Sequence, residues 1–306
     1  MAVSVVICAY TDERWPLLRA AVASVRRQTA PPLELVVVVD HDEALLARAA
    51  AELDGVAAVA NHESRGLSGA RNSGVAATRG EIVAFLDDDA VAQDDWLERL
   101  TAPYADAGVL GVGGAIEPRW LAGRPPGFPA EFDWVVGCSY AGMPTRRAVV
   151  RNLLGANMSV RRDVLDAVGG FRDGIGRVGR RPTGCEETEL CIRAARRIPG
   201  GAFMFEPGAR VAHAVPADRA TWGYFRARCF AEGLSKARVA ALAGSRDGLA
   251  SERAYTLRTL PAGVGRGLAD AARGDRFGLT RAAAIVGGLA VTTAGYVVGS
   301  VRPAPA

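Results

Sequence analysis

Phe85-Leu86-Asp87-Asp88-Asp89 closes the apolar run that begins at Glu81, and its reading decides the fold. A run this apolar suits a central strand covered on both faces. Three carboxylates follow it directly. In open α/β sheets, ligands sit outside the carboxyl ends of the strands. Adjacent carboxylates repel one another unless a cation neutralises them, and hard oxygen ligands suit Mg²⁺ or Mn²⁺. The other use of an acid here is to cap the next helix, but capping needs one carboxylate and Asp94 and Asp95 already precede Trp96. The stretch therefore reads as the metal–diphosphate end of a central strand.

The flanking segments repeat the pattern. Val3–Ala9 is a continuous apolar run, followed by helical spacing over Trp15–Gln28, with Leu17, Leu18, Ala21, Val22 and Val25 on one side. Pro31-Pro32 ends it. Leu33–Val39 reads as a second buried strand, Ala44–Glu52 as a helix, Val56–Ala60 as a short strand and Ala70–Thr78 as a helix. Alternating apolar strands and helices predict an α/β fold: a Rossmann-like, doubly wound, mostly parallel sheet. Pro118–Pro144, rich in Pro, Gly and aromatics, reads as loop or irregular strands. Helices are expected around Arg161–Val168 and Glu186–Arg197, and throughout the chain after Thr221. The expected organisation is an α/β domain over 1–215, then a basic helical C-terminal extension over 216–306.

At 306 residues, 49% hydrophobic and 23% charged, the chain is neither disordered nor a polytopic membrane protein. Five cysteines, an odd number without a CxxC pair, argue against a disulfide framework or a four-cysteine zinc site and for a reducing compartment. No basic residue precedes Val3–Cys8, so no signal peptide is expected. Charge is divided unevenly. Residues 1–215 carry 24 Arg and 27 acids, whereas residues 216–306 carry 13 Lys+Arg against 6 acids, a net of +7. A basic tail on a mildly acidic body suits an anionic partner. With no aromatic–basic interleaving and no zinc-finger spacing, a membrane surface is expected rather than nucleic acid.

Other strand ends deliver polar residues to the same edge. Tyr10 and Asp12 follow the first strand, and Asp40-His41-Asp42 follows the second. Together they outline a nucleotide crevice, although Asp40 alone also suits a helix cap. Arg65–Asn72 is a Gly-containing turn entering a helix, with Arg71 available to a phosphate or a base. It matches neither GxGxxG nor the P-loop pattern. Glu186-Glu187-Thr188-Glu189 opens a helix that ends in arginines, an arrangement the helix dipole favours by itself. His213 follows an apparent strand and suits either a structural role or a metal.

In this order the motifs resemble family 2 glycosyltransferases of the GT-A fold. They are Ala9-Tyr10-Thr11-Asp12, Asp40, Gly69-Ala70-Arg71-Asn72-Ser73-Gly74, Asp87-Asp88-Asp89, Gly169-Gly170-Phe171, Glu186-Glu187-Thr188-Glu189-Leu190 and His213, spread over about residues 3–215. The resemblance implies a nucleoside-diphosphate-sugar donor, a UDP-sugar foremost, and inversion at the anomeric carbon. It implies that Ala9, Tyr10, Asp12, Asp40, Arg71, Asp87 and Asp88 surround the nucleotide, and that Asp87, Asp89 and His213 hold Mn²⁺ or Mg²⁺. Glu187 would be the base that takes a proton from the acceptor hydroxyl. The chain departs from the family pattern at Ala9, Thr11, Asp40-His41-Asp42 and Glu186-Glu187. A fainter resemblance, through Phe132–Tyr140 and Gly155-Ala156-Asn157-Met158, is to transferases acting on lipid-linked sugars. It implies a glycan or polyprenyl-linked acceptor, held in an acceptor half of about 116–215 that follows a nucleotide half of about 1–115, with Asn157 and Glu186 among the candidates. Trp120, Trp134 and Tyr140 suit either stacking on acceptor sugars or ordinary packing, and Arg177, Arg180 and Arg181 suit either an acceptor phosphate or a solvated basic loop. A nucleotidyltransferase and an inactive sugar-binding protein are the rival readings. The first lacks its Gly-rich basic loop between Ala9 and Trp15.

Ala282–Val301 is uncharged over 20 residues, enough for about 30 Å of helix. It predicts either a single span or a helix packed on the body. The expected location is cytoplasmic, at the inner face of the cell membrane, held there peripherally through the basic segment 216–306 or by a single C-terminal anchor.

Overall fold

In the computed structural model, residues 1–177, 179, 184–244 and 253–301 are described. Two compact units are present, and neither is contiguous in sequence. The first comprises Met1–Glu117 and Pro144–His213, the second Pro118–Met143 and Ala214–Ala306.

The first unit is built on β1 (Val3–Ala9), β2 (Glu34–Val39), β3 (Ala57–Ala60) and β4 (Ile82–Asp87). These pair in parallel in the order β3-β2-β1-β4. Val6, Val38, Val83 and Phe85 join one core cluster, yet Ile7, Val37, Ile82 and Leu86 between them are also at most 2% exposed. Both faces are covered, which is why these strands read as unbroken apolar runs. Helices α1 (Trp15–Arg26), α2 (Glu43–Glu52) and α3 (Leu67–Ala76) make the crossovers. Asp42 caps α2 by accepting from Leu45 N–H at 2.9 Å, which leaves Asp40 for another task. At Gly74, α3 rides so close to the sheet that a Cβ would lie 2.5 Å from Val6 Cγ1.

Beyond β4 the pairing changes. The strands β5 (Ala90–Ala92), β6 (Val109–Trp120), β7 (Ala148–Val150), β8 (Asn157–Arg161) and β9 (Ala202–Val215) complete a mixed sheet, in which β8 pairs antiparallel with both β4 and β6. Asn157 ties this half together. It accepts from Trp96 Nε1 at 2.7 Å and donates to the carbonyls of Ala115 and Ala209 at 2.9 Å. Short α4 (Trp96–Thr101), α5 (Arg162–Val168) and α6 (Glu186–Arg197) complete the unit.

The second unit holds α7 (Trp222–Ala243), α8 (Leu260–Ala272) and α9 (Gly278–Val301), with the segment 118–143 wrapped into it by aromatic contacts. Phe132 packs 5.2 Å from Phe225 and 5.4 Å from Trp134, centroid to centroid. Glu131 pairs with Arg266. The five cysteines form no disulfide.

Candidate active site

The carboxyl end of β4 positions the acids. Asp87 is its last residue, and the chain turns through Asp88 and Asp89 into β5. Strand β5 pairs antiparallel with β9 in the register Ala90↔His213. That register sets the imidazole beside the turn, with His213 Nε2 3.0 Å from Asp89 Oδ1. The ligating atoms of Asp87, Asp89 and His213 all lie within 4.8 Å of one another. Two carboxylates and an imidazole suit a divalent cation such as Mn²⁺ or Mg²⁺.

The local electrostatics call for positive charge. Burial pushes the Asp87 carboxyl above its ordinary range, Arg71 opposes this, and Asp89 adds to it. Burial likewise takes Asp88 up to about 7, against the pull of Arg14 and with a push from its two neighbours. Asp88 Oδ2 is buried and accepts no hydrogen bond from the described residues. The residues present fit a divalent cation.

Two arginines flank the acids. Arg14, at the end of the turn Asp12–Arg14, reaches Asp88 Oδ1 at 2.7 Å and Asp89 Oδ2 at 3.1 Å. The sequence carries no motif for it. Its one signal is that it follows the loop after β1, a strand edge already rich in polar residues. Arg71 lies against the rings of Phe85 and Phe171, 5.8 and 5.3 Å from their centroids, and the two rings meet each other edge to face at 5.4 Å. Its guanidinium donates to Glu186 Oε1 at 2.8 Å and to the Gly155 carbonyl at 3.1 Å, and stands 3.8 Å from Asp87 Oδ1. It therefore links the acidic turn to the first residue of α6. Glu187, next on that helix, is half-buried.

The remaining expected residues fall into distinct groups. Asp40 is buried and shapes the loop before α3, accepting from Asn61 Nδ2 at 2.7 Å and from Gly66 N–H at 3.0 Å. Ala9 contributes its carbonyl to Asp40 N–H at 2.8 Å. Tyr10 is half-buried with Arg14 5.2 Å above its ring, while Asp12 is exposed and paired with Arg48 at 2.8 Å. Of the expected acceptor residues, Asn157 is fully buried within the sheet. Glu186 is engaged by Arg71. Trp134 belongs to the second unit, where its indole N–H donates to Tyr255 Oη at 2.9 Å. Arg180 and Arg181 lie outside the described residues.

Residues 4–169 match the family model Glycosyl transferase family 2. The glucosyl-dolichyl phosphate glucuronosyltransferase of Haloferax volcanii is 38% identical over 240 residues, which is 77% of this chain and 76% of that one. Among solved structures, the mannosyltransferase PcManGT from Pyrobaculum calidifontis, in complex with GDP-Man and Mn²⁺, has a TM-score of 0.60 at 20% identity. It covers 97% of this chain and 85% of its own. GalNAc-T7 with UDP, GalNAc and Mn²⁺ has a TM-score of 0.53 at 18% identity, over 76% of this chain and 48% of its own. Both share the GT-A fold with this chain.

Proposed function

We propose a specific reaction for this chain, a glycosyltransferase that belongs to glycosyl transferase family 2: transfer of a sugar from a UDP-sugar, with inversion, to a hydroxyl of a polyprenyl-linked glycan. The observation that carries the reading is the convergence of Asp87, Asp89 and His213 within 4.8 Å at the end of a central strand. These three hold the cation, which when bound supplies the positive charge that stabilises the leaving diphosphate. The acceptor oxygen attacks the anomeric carbon, the bond to the diphosphate oxygen breaks, and Glu187 takes the acceptor's proton. Glu187 fits this part because it is half-buried in the first turn of α6, which Arg71 ties to the acidic turn through Glu186. The nucleotide lies along Tyr10, Asp40 and the acidic turn, with Arg14 and Arg71 holding the carboxylates in place.

The acceptor class is supported by the likeness to the Haloferax volcanii enzyme, whose name specifies a dolichyl phosphate. An acceptor with a polyprenyl tail requires work at a membrane. The chain accordingly acts at the cytoplasmic face of the cell membrane, in cell-envelope glycan assembly, with transfer carried by 1–215 and attachment by 216–306.

A thermal-shift panel of UDP-, GDP- and dTDP-sugars with Mn²⁺ tests the donor. A UDP-sugar should give the largest Mn²⁺-dependent shift. Nuclear magnetic resonance of the product's anomeric proton tests the stereochemistry. Retention would overturn the assignment of Glu187 as a base acting directly on the acceptor, as would full activity in excess chelator for the cation.

A further inference from the structure

Helix α9 is long and apolar enough to cross a bilayer, and no charged residue lies between Arg281 and Val301. Its packing argues against crossing. A Cβ on Gly233 of α7 would lie 2.1 Å from the Thr292 carbonyl oxygen, and one on Gly295 would lie 2.1 Å from that of Phe230. The two backbones are therefore in near contact, and whatever surrounds α9 surrounds α7 as well. Helix α7 carries Arg226, Arg228, Glu232, Lys236 and Arg238. Glu232 is held between Arg228 at 2.8 Å and Lys236 at 3.2 Å. Carrying this series of charges through a hydrocarbon core is unfavourable.

The face of α9 turned away from α7 has a different composition. Leu279, Val286, Val297 and Val301 are 62, 58, 56 and 77% exposed, and the exposed Ala283 and Ala290 continue the same line. These positions recur at helical spacing along 24 residues, about 36 Å. Ala282, Ile285, Gly288 and Gly295 are buried on the opposite side. An uncharged apolar stripe of that length in water marks an interaction surface. The neighbouring segment states its sign. Residues 253–301 hold six arginines against two aspartates, and Arg258, Arg266, Arg273 and Arg276 are exposed.

We propose that the Leu279–Val301 stripe docks into the interfacial layer of an anionic bilayer, with α9 in the membrane plane and the arginines of α8 and its flanks against lipid headgroups. The proposal deepens the membrane placement of the preceding reading and rests on it. Docking in this mode leaves α7 and its charges on the aqueous side of α9. It also holds the chain on the surface from which a polyprenyl-linked sugar presents its headgroup.

Flotation of the full chain with vesicles tests the proposal, using phosphatidylcholine alone and phosphatidylcholine mixed with phosphatidylglycerol. The wild-type chain should float with the mixed vesicles and be released by high salt with alkaline carbonate. Val286→Glu with Val297→Glu should lose flotation while keeping the Mn²⁺-dependent donor thermal shift. Val286→Asn with Val297→Asn is the milder pair should the first fail to fold. If the wild-type chain floats with no vesicle, the membrane placement itself falls. If it floats and both variants float equally, only the assignment of this stripe falls. Resistance to carbonate would mean that α9 spans. A wild-type dimer that the variants dissociate would make a second copy of the chain the occupant.

Discussion

Replacing Arg71 with methionine should destabilise the first unit severely, for reasons visible in its surroundings. The side chain is 2% exposed and its partner Glu186 is 5% exposed. The guanidinium donates to Glu186 at 2.8 Å and to the Gly155 carbonyl at 3.1 Å. Methionine fills much of the space that the side chain occupies beside Phe85 and Phe171, so the loss is chiefly electrostatic. Glu186 would be left buried without its cation, a change that typically costs about 3–5 kcal/mol, and the ring contacts add roughly 0.5–2 kcal/mol more. Urea titration followed by tryptophan fluorescence measures the total, with Trp15 and Trp96 reporting on the first unit. The double variant Arg71→Met/Glu186→Leu removes both charges and should recover much of the loss, because the penalty lies in the stranded carboxylate. A single-variant loss below about 1 kcal/mol, or a double variant equal to the sum of the two singles, would refute the account of a buried, coupled pair. Turnover should also fall in Arg71→Met, since Glu187 stands in the first turn of the helix that this pair anchors.

Asp89→Ala should abolish transfer and eliminate Mn²⁺-dependent binding in calorimetry, since Asp87 and His213 alone would remain of the three converging ligands. Glu187→Gln should leave the donor's thermal shift intact and lower turnover by roughly 10²–10⁴-fold; an equal loss in Glu186→Gln with none in Glu187→Gln would move the base by one residue. Burial alone would raise the Glu232 carboxyl, but Lys236 and Arg228 hold it at about 2, below its ordinary 4.5. Its contribution to stability is thus complete above about pH 4.5 and disappears as the pH falls towards 2. Melting temperatures across that window should fall less steeply in Glu232→Gln than in the wild-type chain.

The parallel half of the fold is legible because its strands are covered on both faces. Val36–Val39 and Val83–Leu86 have no polar side to interrupt them, so sequence and burial coincide. The antiparallel half is far less legible. Val109–Trp120 is punctuated by Gly111, Gly113, Gly114 and Pro118, and Ala202–Val215 by Pro207 and Gly208. These read as turns in isolation, and only pairing across the chain makes them strands. The acids and His213 were legible individually, but what joins them is the register between β5 and β9, a contact over more than a hundred residues. Arg14 was missed for the same reason. Its partners are 74 and 75 positions away in sequence. Segment 118–143 follows the parallel half in sequence, yet its aromatic side chains pack with α7, and only that packing assigns it to the second unit.

The three carboxylates at Asp87, Asp88 and Asp89 do not perform one task in triplicate. The turn divides their side chains: Asp87 and Asp89 meet His213, while Asp88 is held by Arg14. The middle acid is thereby withdrawn from the cation site, and its charge draws in an arginine that also reaches Asp89 at 3.1 Å. Arg14 offsets the mutual repulsion of a turn in which burial already works against ionisation. On the other side, Arg71 stands 3.8 Å from Asp87 and pairs with Glu186. Two arginines from different elements therefore serve the three acids: Arg14, in the turn before α1, for Asp88 and Asp89, and Arg71, on α3, for Asp87. Were a cation to bind Asp87, Asp89 and His213, it would meet side chains already aimed by these contacts, so little reorganisation would be needed.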